Sequence, residues 1–268
     1  MSQFRLEPVG RRIGCIIHGP DLSRSSDNEI SAIKDALKKH LVIFFRNQKF
    51  DPHSFYQLSK KMGEPTPYPF VDGIDGMPEV VEIIKQPEDT VNFGGVWHSD
   101  TTYLDKPAMG ALLYGVEIPK QGGDTLFANM YAVFESLSPA LRQFLSILKA
   151  VNDADKVAIS KTRPGRKRKG LQAIHPVVRT HPETRRQLLY INRAHTTHFE
   201  GWTREESQPL LDFLCDRIEQ ADFGCRFKWQ PGSLAFWDNR ACQHFPINDY
   251  DGHLRKMLRI SLVGERPV

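Results

Sequence analysis

Apolar residues recur at helical spacing in four segments of the chain, each introduced by a helix start signal. The first begins at the capping-box pattern Ser26-Asp27-Asn28-Glu29, and its apolar positions run to Leu41. The others are predicted over residues 52–62, from Ser138 onward, and from Thr203 to about Gln220. Helices are therefore expected near the start of the chain and in excursions between strands.

Short apolar or alternating runs bounded by turn residues predict strands through the rest of the chain. Residues 41–45 form a continuous apolar run, as expected for a strand covered on both faces. Further strands are expected at 80–84, 98–103, 108–116, 125–127, 173–179, 188–192, 225–229, 233–237 and 257–263. This succession predicts a mainly β (α+β) fold in which a jelly-roll core carries flanking helices.

Length and composition fit one globular unit. The chain has 268 residues, of which 40% are hydrophobic and 25% are charged, so it can bury a sizeable core. No repeat or low-complexity tract interrupts the pattern. Because all-β folds of this length are common as one unit, we expect a single domain over residues 1–268.

Charge and cysteine usage narrow the location and the classes of partner. Much of the net charge of +4 comes from a basic run at 161–169, which holds Pro and Gly and no aromatic residue, so a solvated loop is expected and not a nucleic-acid site. The surrounding excursion, residues 153–172, could form a lid. The four cysteines show no CxxC spacing and the N-terminus has no signal core, so a cytoplasmic protein with free thiols is expected. No apolar stretch approaches the ~20 residues of a membrane span.

Two histidines and an aspartate form a candidate metal site. If residues 98–103 are a strand, His98 and Asp100 point to one face and place an imidazole beside a carboxylate. His244, just beyond a late strand, offers a third ligand. Two His and one carboxylate leave three open positions on an octahedral ion, which suits Fe(II) that must bind a bidentate co-substrate and O2. A lone His-x-Asp is common by chance, so neighbouring residues have to support the assignment.

Two arginines and a threonine supply that support. Arg255 could grip a distal carboxylate bidentately, and Thr125 could add a hydroxyl donor. Arg259 shares the face of Arg255 if this segment is a strand. Burying two guanidiniums without anions would be costly, so each should meet an anionic ligand or an internal acid.

Several motifs together resemble the taurine dioxygenase family, which includes taurine dioxygenase and 2,4-dichlorophenoxyacetate dioxygenase. They are FRNQ at 45–48, WHSDTTY at 97–103, GGDT at 122–125, HPVVRTHPET at 175–184, and WDNR at 237–240 followed by His244, Arg255 and Arg259. Because they occur in the family's order over nearly the whole chain, the resemblance is specific.

The resemblance implies a double-stranded β-helix core and an Fe(II)- and 2-oxoglutarate-dependent dioxygenase that consumes O2. It assigns iron binding to His98, Asp100 and His244, 2-oxoglutarate binding to Thr125 and Arg255, and substrate binding to Arg259. The implied substrate is a small organic anion, a sulfonate, sulfate ester or carboxylate. Its hydroxylation would give succinate and CO2, and a sulfonate or aryloxy group on the hydroxylated carbon would then leave. Members of the family often assemble into dimers or higher oligomers, so a homo-oligomer, dimer or tetramer, is expected.

The pocket departs from taurine dioxygenase, which argues against taurine itself. Gly94 stands where that enzyme carries an asparagine, and its upstream substrate-binding histidine has no clear counterpart in residues 65–70. Residues 194–201 are similar to the corresponding stretch of the 2,4-dichlorophenoxyacetate enzyme, so an aryl or ether carboxylate is a further candidate.

Two other functions stay open for the chain, and purely structural roles stay open for several of its residues. The chain could be a metal-containing jelly roll that binds a ligand without oxygenase turnover, or a basic RNA-associated protein whose sheet is inert. Asp238 and Arg240 fit a structural ion pair that ties down the loop presenting His244. Four further histidines could line the pocket, although a structural role is favoured for each: His175, His181, His195 and His198.

Overall fold

A computed structural model of the chain describes residues 4–156 and 170–268, in which sixteen β-strands and five α-helices occur. The structure is thus mostly β with a few helices, as the sequence predicts. The basic run at 161–169 and most of the 153–172 excursion lie outside the described residues, as do residues 1–3. No helix in the described part of the chain is both long and apolar enough to cross a membrane.

The strands, numbered along the chain, have the following bounds: β1 Arg5–Pro8, β2 Cys15–His18, β3 Val42–Phe45, β4 Pro65–Thr66, β5 Val81–Lys85, β6 Gly110–Glu117, β7 Thr125–Asn129, β8 Lys149–Asp153, β9 Gln172–Pro176, β10 Val178–Thr180, β11 Gln187–Leu189, β12 Thr196–Phe199, β13 Gly224–Phe227, β14 Leu234–Asp238, β15 Cys242–Pro246 and β16 Arg255–Leu262. The helices are α1 Asp27–His40, α2 Pro52–Met62, α3 Met130–Glu135, α4 Pro139–Ser146 and α5 Arg204–Ile218, and a short 3-10 helix covers Ala221–Phe223.

The largest sheet has eight strands in the order β1-β2-β3-β14-β6-β16-β4, with β5 also paired to β16. A three-stranded sheet, β13-β7-β15, packs against it: Phe44 of the large sheet stacks on Phe227 with ring centroids 3.9 Å apart, and Phe127 lies 6.0 Å from Trp237. Helices α1 and α2 cover the other face of the large sheet through residues such as Ile33 and Phe55. β3 is buried along its whole length, which explains its continuous apolar run.

All four predicted helices are confirmed, and their start signals act as expected. Ser26 and Thr203 each accept a hydrogen bond from the backbone of the third helical residue, and the glutamate there bonds back to the cap. Ser138 caps α4 by accepting a hydrogen bond from the Leu141 N–H, with Pro139 at the first helical position. Local signals sufficed here because a cap acts only on the turn that follows it.

The main error concerns residues 98–103, which were expected to be a strand. Only an isolated bridge from His98 to His244 is present, and the chain turns at 100–103. Thr101 has φ 54°, an unusual value for a β-branched residue, which prevents the segment from continuing as a strand. The predicted strand at 173–179 is split into β9 and β10, and the one at 188–192 ends earlier, at Leu189. The last strand begins at Arg255, two residues before the predicted start.

Candidate metal and co-substrate site

His98 is fixed by its backbone and by one ring nitrogen. Its N–H donates to His244 O at 3.1 Å, and the His244 N–H donates back to His98 O at 2.9 Å. The His98 Nδ1 donates to the Val96 carbonyl oxygen at 2.6 Å. That bond places the ring proton on Nδ1 and leaves the Nε2 lone pair available, as in metal-binding histidines.

Asp100 reaches the same place through a turn and not through strand alternation. Its backbone N–H donates to Asn239 Oδ1 at 2.6 Å, and Asn239 Nδ2 donates to the Asp100 carbonyl oxygen at 3.0 Å. Asn239 follows β14, so the large sheet holds the turn that carries the aspartate. The expectation that His98 and Asp100 meet was correct, whereas the strand invoked to explain it was wrong.

The three side chains form one buried cluster. Asp100 Oδ1 lies 3.6 Å from His98 Nε2 and 3.9 Å from His244 Nε2. One donor atom from each residue falls within 4.8 Å of the others, and among the described residues this is the group of His, Cys, Asp and Glu side chains that could hold a metal ion. Burial lowers the pKa of His98, and burial followed by the nearby His98 lowers that of His244 well below its usual value. Both imidazoles are therefore neutral near pH 7, which is the form that binds metals.

Arg259 supplies the charge that balances Asp100. Its Nη2 lies 2.5 Å from Asp100 Oδ1, and both side chains are almost fully buried. Burial alone would raise the pKa of Asp100, but the positive charge of Arg259 lowers it well below its usual range. The guanidinium also lies 5.2 Å from the ring centroid of Tyr68 and 5.7 Å from that of Trp237. The internal acid expected for one of the two arginines is thus Asp100.

Arg255 and Thr125 both lie beside Trp229, whose ring centroid is 5.8 Å from the Arg255 Cζ. Arg255 and Arg259 share a face of β16, as predicted. Burial lowers the pKa of Arg255, and its Nε and Nη2 have no hydrogen-bond partner within residues 4–156 and 170–268. Thr125 Oγ1 accepts a 2.9 Å bond from Trp229 Nε1, so its own proton is free to be donated. These donors could receive a carboxylate.

Five of the six predicted site residues line one cavity, and the sixth, Asp100, contacts three of them. The lining residues are Ile83, Phe93, His98, Leu113, Thr125, Phe127, Trp237, His244, Pro246, Arg255 and Arg259. The candidate metal ligands, the candidate co-substrate donors and the second arginine, which the sequence places in separate segments, therefore converge on a single space.

An arc of aromatic rings, here called the aromatic arc, connects Arg259 to His98, and the sequence analysis did not predict that its members lie together. Its members are Tyr68, Phe70, Tyr103 and His195. Successive ring centroids lie 6.3, 5.3 and 5.0 Å apart, and His195 ends 6.4 Å from the His98 ring. These residues come from three distant loops, so no periodic pattern could have identified them.

Gly94 leaves the space beside His98 open. A Cβ built there would lie 3.0 Å from His98 Cε1 and 3.5 Å from Nε2, and the residue has φ +78°. Any side chain would therefore press on the imidazole and strain the backbone. This glycine keeps room next to the candidate metal ligand.

A second buried charge cluster supports the loop before His244. Arg240 Nε donates to Asp238 Oδ1 at 2.8 Å, and His181 Nε2 donates to Asp238 Oδ2 at 3.0 Å. The His181 Nδ1 accepts backbone N–H bonds from Glu183 and Thr184, so this ring is fully engaged in structure. The predicted structural pair of Asp238 and Arg240 is confirmed, and His181 joins it away from the cavity.

The donor set fits a divalent transition metal such as Fe(II). It offers two neutral imidazole Nε2 atoms and an ionised carboxylate in a buried pocket, which is the two-His, one-carboxylate set of non-haem iron sites. The second carboxylate oxygen, Asp100 Oδ2, is buried and makes no hydrogen bond to any described residue, so it remains available as a ligand atom.

Comparisons with known proteins agree with this geometry. Residues 4–261 match the model of a family described as taurine catabolism dioxygenase TauD, TfdA family. An alpha-ketoglutarate-dependent sulfate ester dioxygenase of Pseudomonas putida is 32% identical over 99% of this chain and 91% of its own length. An alkylsulfatase of Acinetobacter baylyi is 33% identical over 98% of this chain and 86% of its own length. The crystal structure of a taurine dioxygenase from Burkholderia xenovorans superposes with a TM-score of 0.87 at 35% identity, covering 100% of this chain and 91% of that one.

Proposed function

Because the chain belongs to the taurine catabolism dioxygenase TauD, TfdA family, we propose that it is an Fe(II)- and 2-oxoglutarate-dependent dioxygenase that hydroxylates a small organic anion. The observation that carries the proposal is the convergence of His98, Asp100 and His244 with Thr125, Arg255 and Arg259 around one cavity. A jelly roll that only binds a ligand would not need donors for two different anions beside a metal site.

His98, Asp100 and His244 would hold the iron. When bound, Fe(II) supplies the redox chemistry that couples conversion of 2-oxoglutarate and O2 to succinate and CO2 with hydroxylation of a substrate carbon. The chain itself keeps both imidazoles neutral by burial and keeps Asp100 ionised through Arg259. Gly94, which has no side chain, leaves room beside the His98 Nε2.

Thr125 and Arg255 would bind the distal carboxylate of 2-oxoglutarate. Both lie on the cavity wall, the Thr125 hydroxyl retains its proton for donation, and two donors of Arg255 have no partner in the described part of the chain. A planar guanidinium beside a hydroxyl matches the geometry of a carboxylate. Positioning the dicarboxylate at this end directs its keto acid end toward the three iron ligands.

Arg259 would bind the anionic group of the substrate, and the aromatic arc would hold its carbon body. The names of the relatives, a sulfate ester dioxygenase, an alkylsulfatase and a taurine dioxygenase, favour a sulfate ester or sulfonate over a carboxylate. Rings on one side and a glycine on the other suit an apolar alkyl or aryl body. If the hydroxylated carbon bears the sulfur oxyanion, the product breaks down to an aldehyde and sulfate or sulfite.

The remaining expectations belong to the same proposal. The chain would form one domain with a double-stranded β-helix core, supported by the packing of the β13-β7-β15 sheet on the large sheet. It would act in the cytoplasm, which suits the four buried free cysteines. As in other members of the family, it would assemble with copies of itself.

Succinate release from 2-oxoglutarate tests the proposal. Purified protein with Fe(II), ascorbate and O2 should release succinate when hexyl sulfate or propane-1-sulfonate is added, and less with taurine, in which an ammonium replaces the terminal methyl of propane-1-sulfonate. His244→Ala should abolish both Mn(II) binding and turnover, while Phe144→Ala, a half-exposed aromatic outside the site, should change neither. Wild-type protein that neither binds nor consumes 2-oxoglutarate would refute the assignment.

A further inference from the structure

Lys85 is a buried lysine next to the co-substrate arginine, and nothing in the mechanism above uses it. Its side chain is 4% exposed, and its Nζ makes no hydrogen bond within the described residues. Fully buried lysines are rare unless a charge compensates them, because removing an ammonium from water is costly. A role for this cation therefore has to be sought in its surroundings.

The strand register places Lys85 beside Arg255. In the antiparallel pair of β5 and β16, Arg255 lies directly opposite Lys85, and Met257 opposite Ile83. Paired residues project from the same face, and Ile83 and Arg255 both line the cavity. Lys85 thus extends from the cavity-facing side of the sheet, at the end where the distal carboxylate of 2-oxoglutarate would lie.

Tyr250 lies against both cations. The Lys85 Nζ is 4.5 Å from the centroid of the tyrosine ring, and the Arg255 Cζ is 5.9 Å from the same centroid. The phenol oxygen also hydrogen-bonds Arg255. Lys85, Tyr250 and Arg255 therefore form one contiguous group, which reaches the cavity wall through Arg255 and which we call the cationic end.

The carboxylates around the cationic end are exposed or already paired. Asp249, which acts on Tyr250, is 43% exposed and shared with Arg226, and Asp89 is exposed. The acid that faces Lys85 is Asp251, 3.8 Å away and with a side chain 85% exposed, so solvent screens the pair. The charge of Asp124 acts on Arg255, but this carboxylate accepts a 2.7 Å bond from Arg226. The charges of Lys85 and Arg255 are thus only weakly neutralised by the carboxylates nearby. Binding of the 2-oxoglutarate dianion would add the negative charge that these two buried cations lack.

We propose that Lys85 is a second co-substrate cation, which raises the affinity for the distal carboxylate of 2-oxoglutarate by its charge and by holding Tyr250 against Arg255. The inference rests on the proposed function. Lys85 acts on 2-oxoglutarate binding through Arg255 and through the local electrostatic potential, so it is a positioning residue and not a catalytic one. The alternative is a purely structural cation that only braces Tyr250, and it predicts a different outcome.

Binding to Mn(II)-loaded protein, measured by calorimetry, separates the two roles without turnover. The probes are 2-oxoglutarate and 2-oxovalerate, which has the same carbon chain without the distal carboxylate. Lys85→Met should weaken 2-oxoglutarate binding roughly tenfold and leave 2-oxovalerate binding unchanged. Lys85→Arg, which keeps the charge, should restore most of the affinity for 2-oxoglutarate. If the methionine variant folds poorly, the same two probes are compared on the arginine variant instead.

Lys256→Met is the matched control, since Lys256 lies on the opposite face of β16 and pairs with Glu82 at 2.6 Å. It should bind both probes like the wild type. Unchanged 2-oxoglutarate affinity in Lys85→Met, or equal losses for both probes, would overturn the role of Lys85 alone. Failure of the wild type to bind 2-oxoglutarate would instead overturn the proposed function.

Discussion

Arg259 Nη2 lies 2.5 Å from Asp100 Oδ1, the same oxygen that faces the Nε2 atoms of His98 and His244. The candidate substrate residue is therefore the counter-ion of a candidate metal ligand. Arginine and carboxylate neutralise each other, so a divalent cation added to the cluster leaves an excess of positive charge. That excess favours the binding of anions near the metal and couples metal binding to co-substrate and substrate binding.

Replacing Arg259 should separate its effects on metal and substrate. Arg259→Met should raise the KM for the organic anion at least about 100-fold, because a buried charge contact is lost. The same change should leave Mn(II) binding as tight as in the wild type or tighter, since it removes a cation adjacent to the site. Calorimetry with Mn(II) and steady-state kinetics measure the two effects. Arg266→Met, an exposed arginine paired with Asp105, is the control, and much weaker Mn(II) binding in Arg259→Met would contradict the prediction.

Thr125 should contribute to stability as well as to co-substrate binding. Thr125→Val keeps the shape but removes the acceptor of the buried Trp229 Nε1. An unsatisfied buried donor costs about 1–3 kcal/mol, so the free energy of unfolding should fall by that amount and the KM for 2-oxoglutarate should rise. Thr125→Ser retains the hydroxyl and should recover both properties. Urea unfolding that is identical for the valine variant and the wild type would argue against this reading of the bond.

Asp238 should make stability depend on pH in the acid range. Burial alone would raise the pKa of Asp238, but hydrogen bonds from Arg240 and His181 lower it well below its usual range. A carboxylate with a lowered pKa stabilises the fold above its unfolded value of about 3.9, and this contribution is lost as the pH falls below that value. Asp238→Asn should lose about 3–5 kcal/mol at pH 7.

Chemical unfolding from pH 7 down to pH 3 checks the sign of this effect. The difference between wild type and Asp238→Asn should shrink as the pH falls below about 4. Asp35→Asn removes an exposed carboxylate that pairs with Lys38 on α1, and it should cost less than about 1 kcal/mol. If the difference in the free energy of unfolding between wild type and Asp238→Asn stayed constant from pH 7 to pH 3, the ionisation of Asp238 would not be its cause.

The cysteines should be inert in the folded protein. Burial raises the pKa of Cys215 to about 11 and that of Cys225 to about 12, and it also raises those of Cys15 and Cys242. Since the thiolate is the reactive form, iodoacetamide at pH 8 should label no cysteine in the native state and four in urea. Stability should fall as the pH rises from about 8.5 toward these values, because unfolded thiols ionise first. Rapid native labelling would contradict the burial of these side chains.

Much of the site could be predicted because its chemistry is carried by residue types with few alternatives. The spacing from Arg255 to Arg259 requires one shared strand face, and β16 provides it. His98 and Asp100 were paired for the wrong reason, since the turn at Thr101 depends on Asn239, which follows a strand far along the chain. Local patterns do not contain such long-range hydrogen bonds.

The aromatic arc and Lys85 illustrate what the sequence could not reveal. Tyr68 follows a proline and lies in an irregular segment, so its position over Arg259 follows only from tertiary packing. Lys85 ends an apolar run in which a charged residue would ordinarily mark the return to solvent, yet the strand register keeps it buried opposite Arg255. Both are contacts between distant segments, which spacing along one segment cannot encode.

The reciprocal backbone bonds between His98 and His244 bear on the entropy of metal uptake. These residues lie in different halves of the chain, and joining them closes a long loop, whose cost rises with the logarithm of its length. Here the closure is enforced by the protein's own amide hydrogen bonds and by the strands on either side. The fold therefore bears the cost of bringing the ligands together, and a metal ion entering the site needs to order very little of the chain.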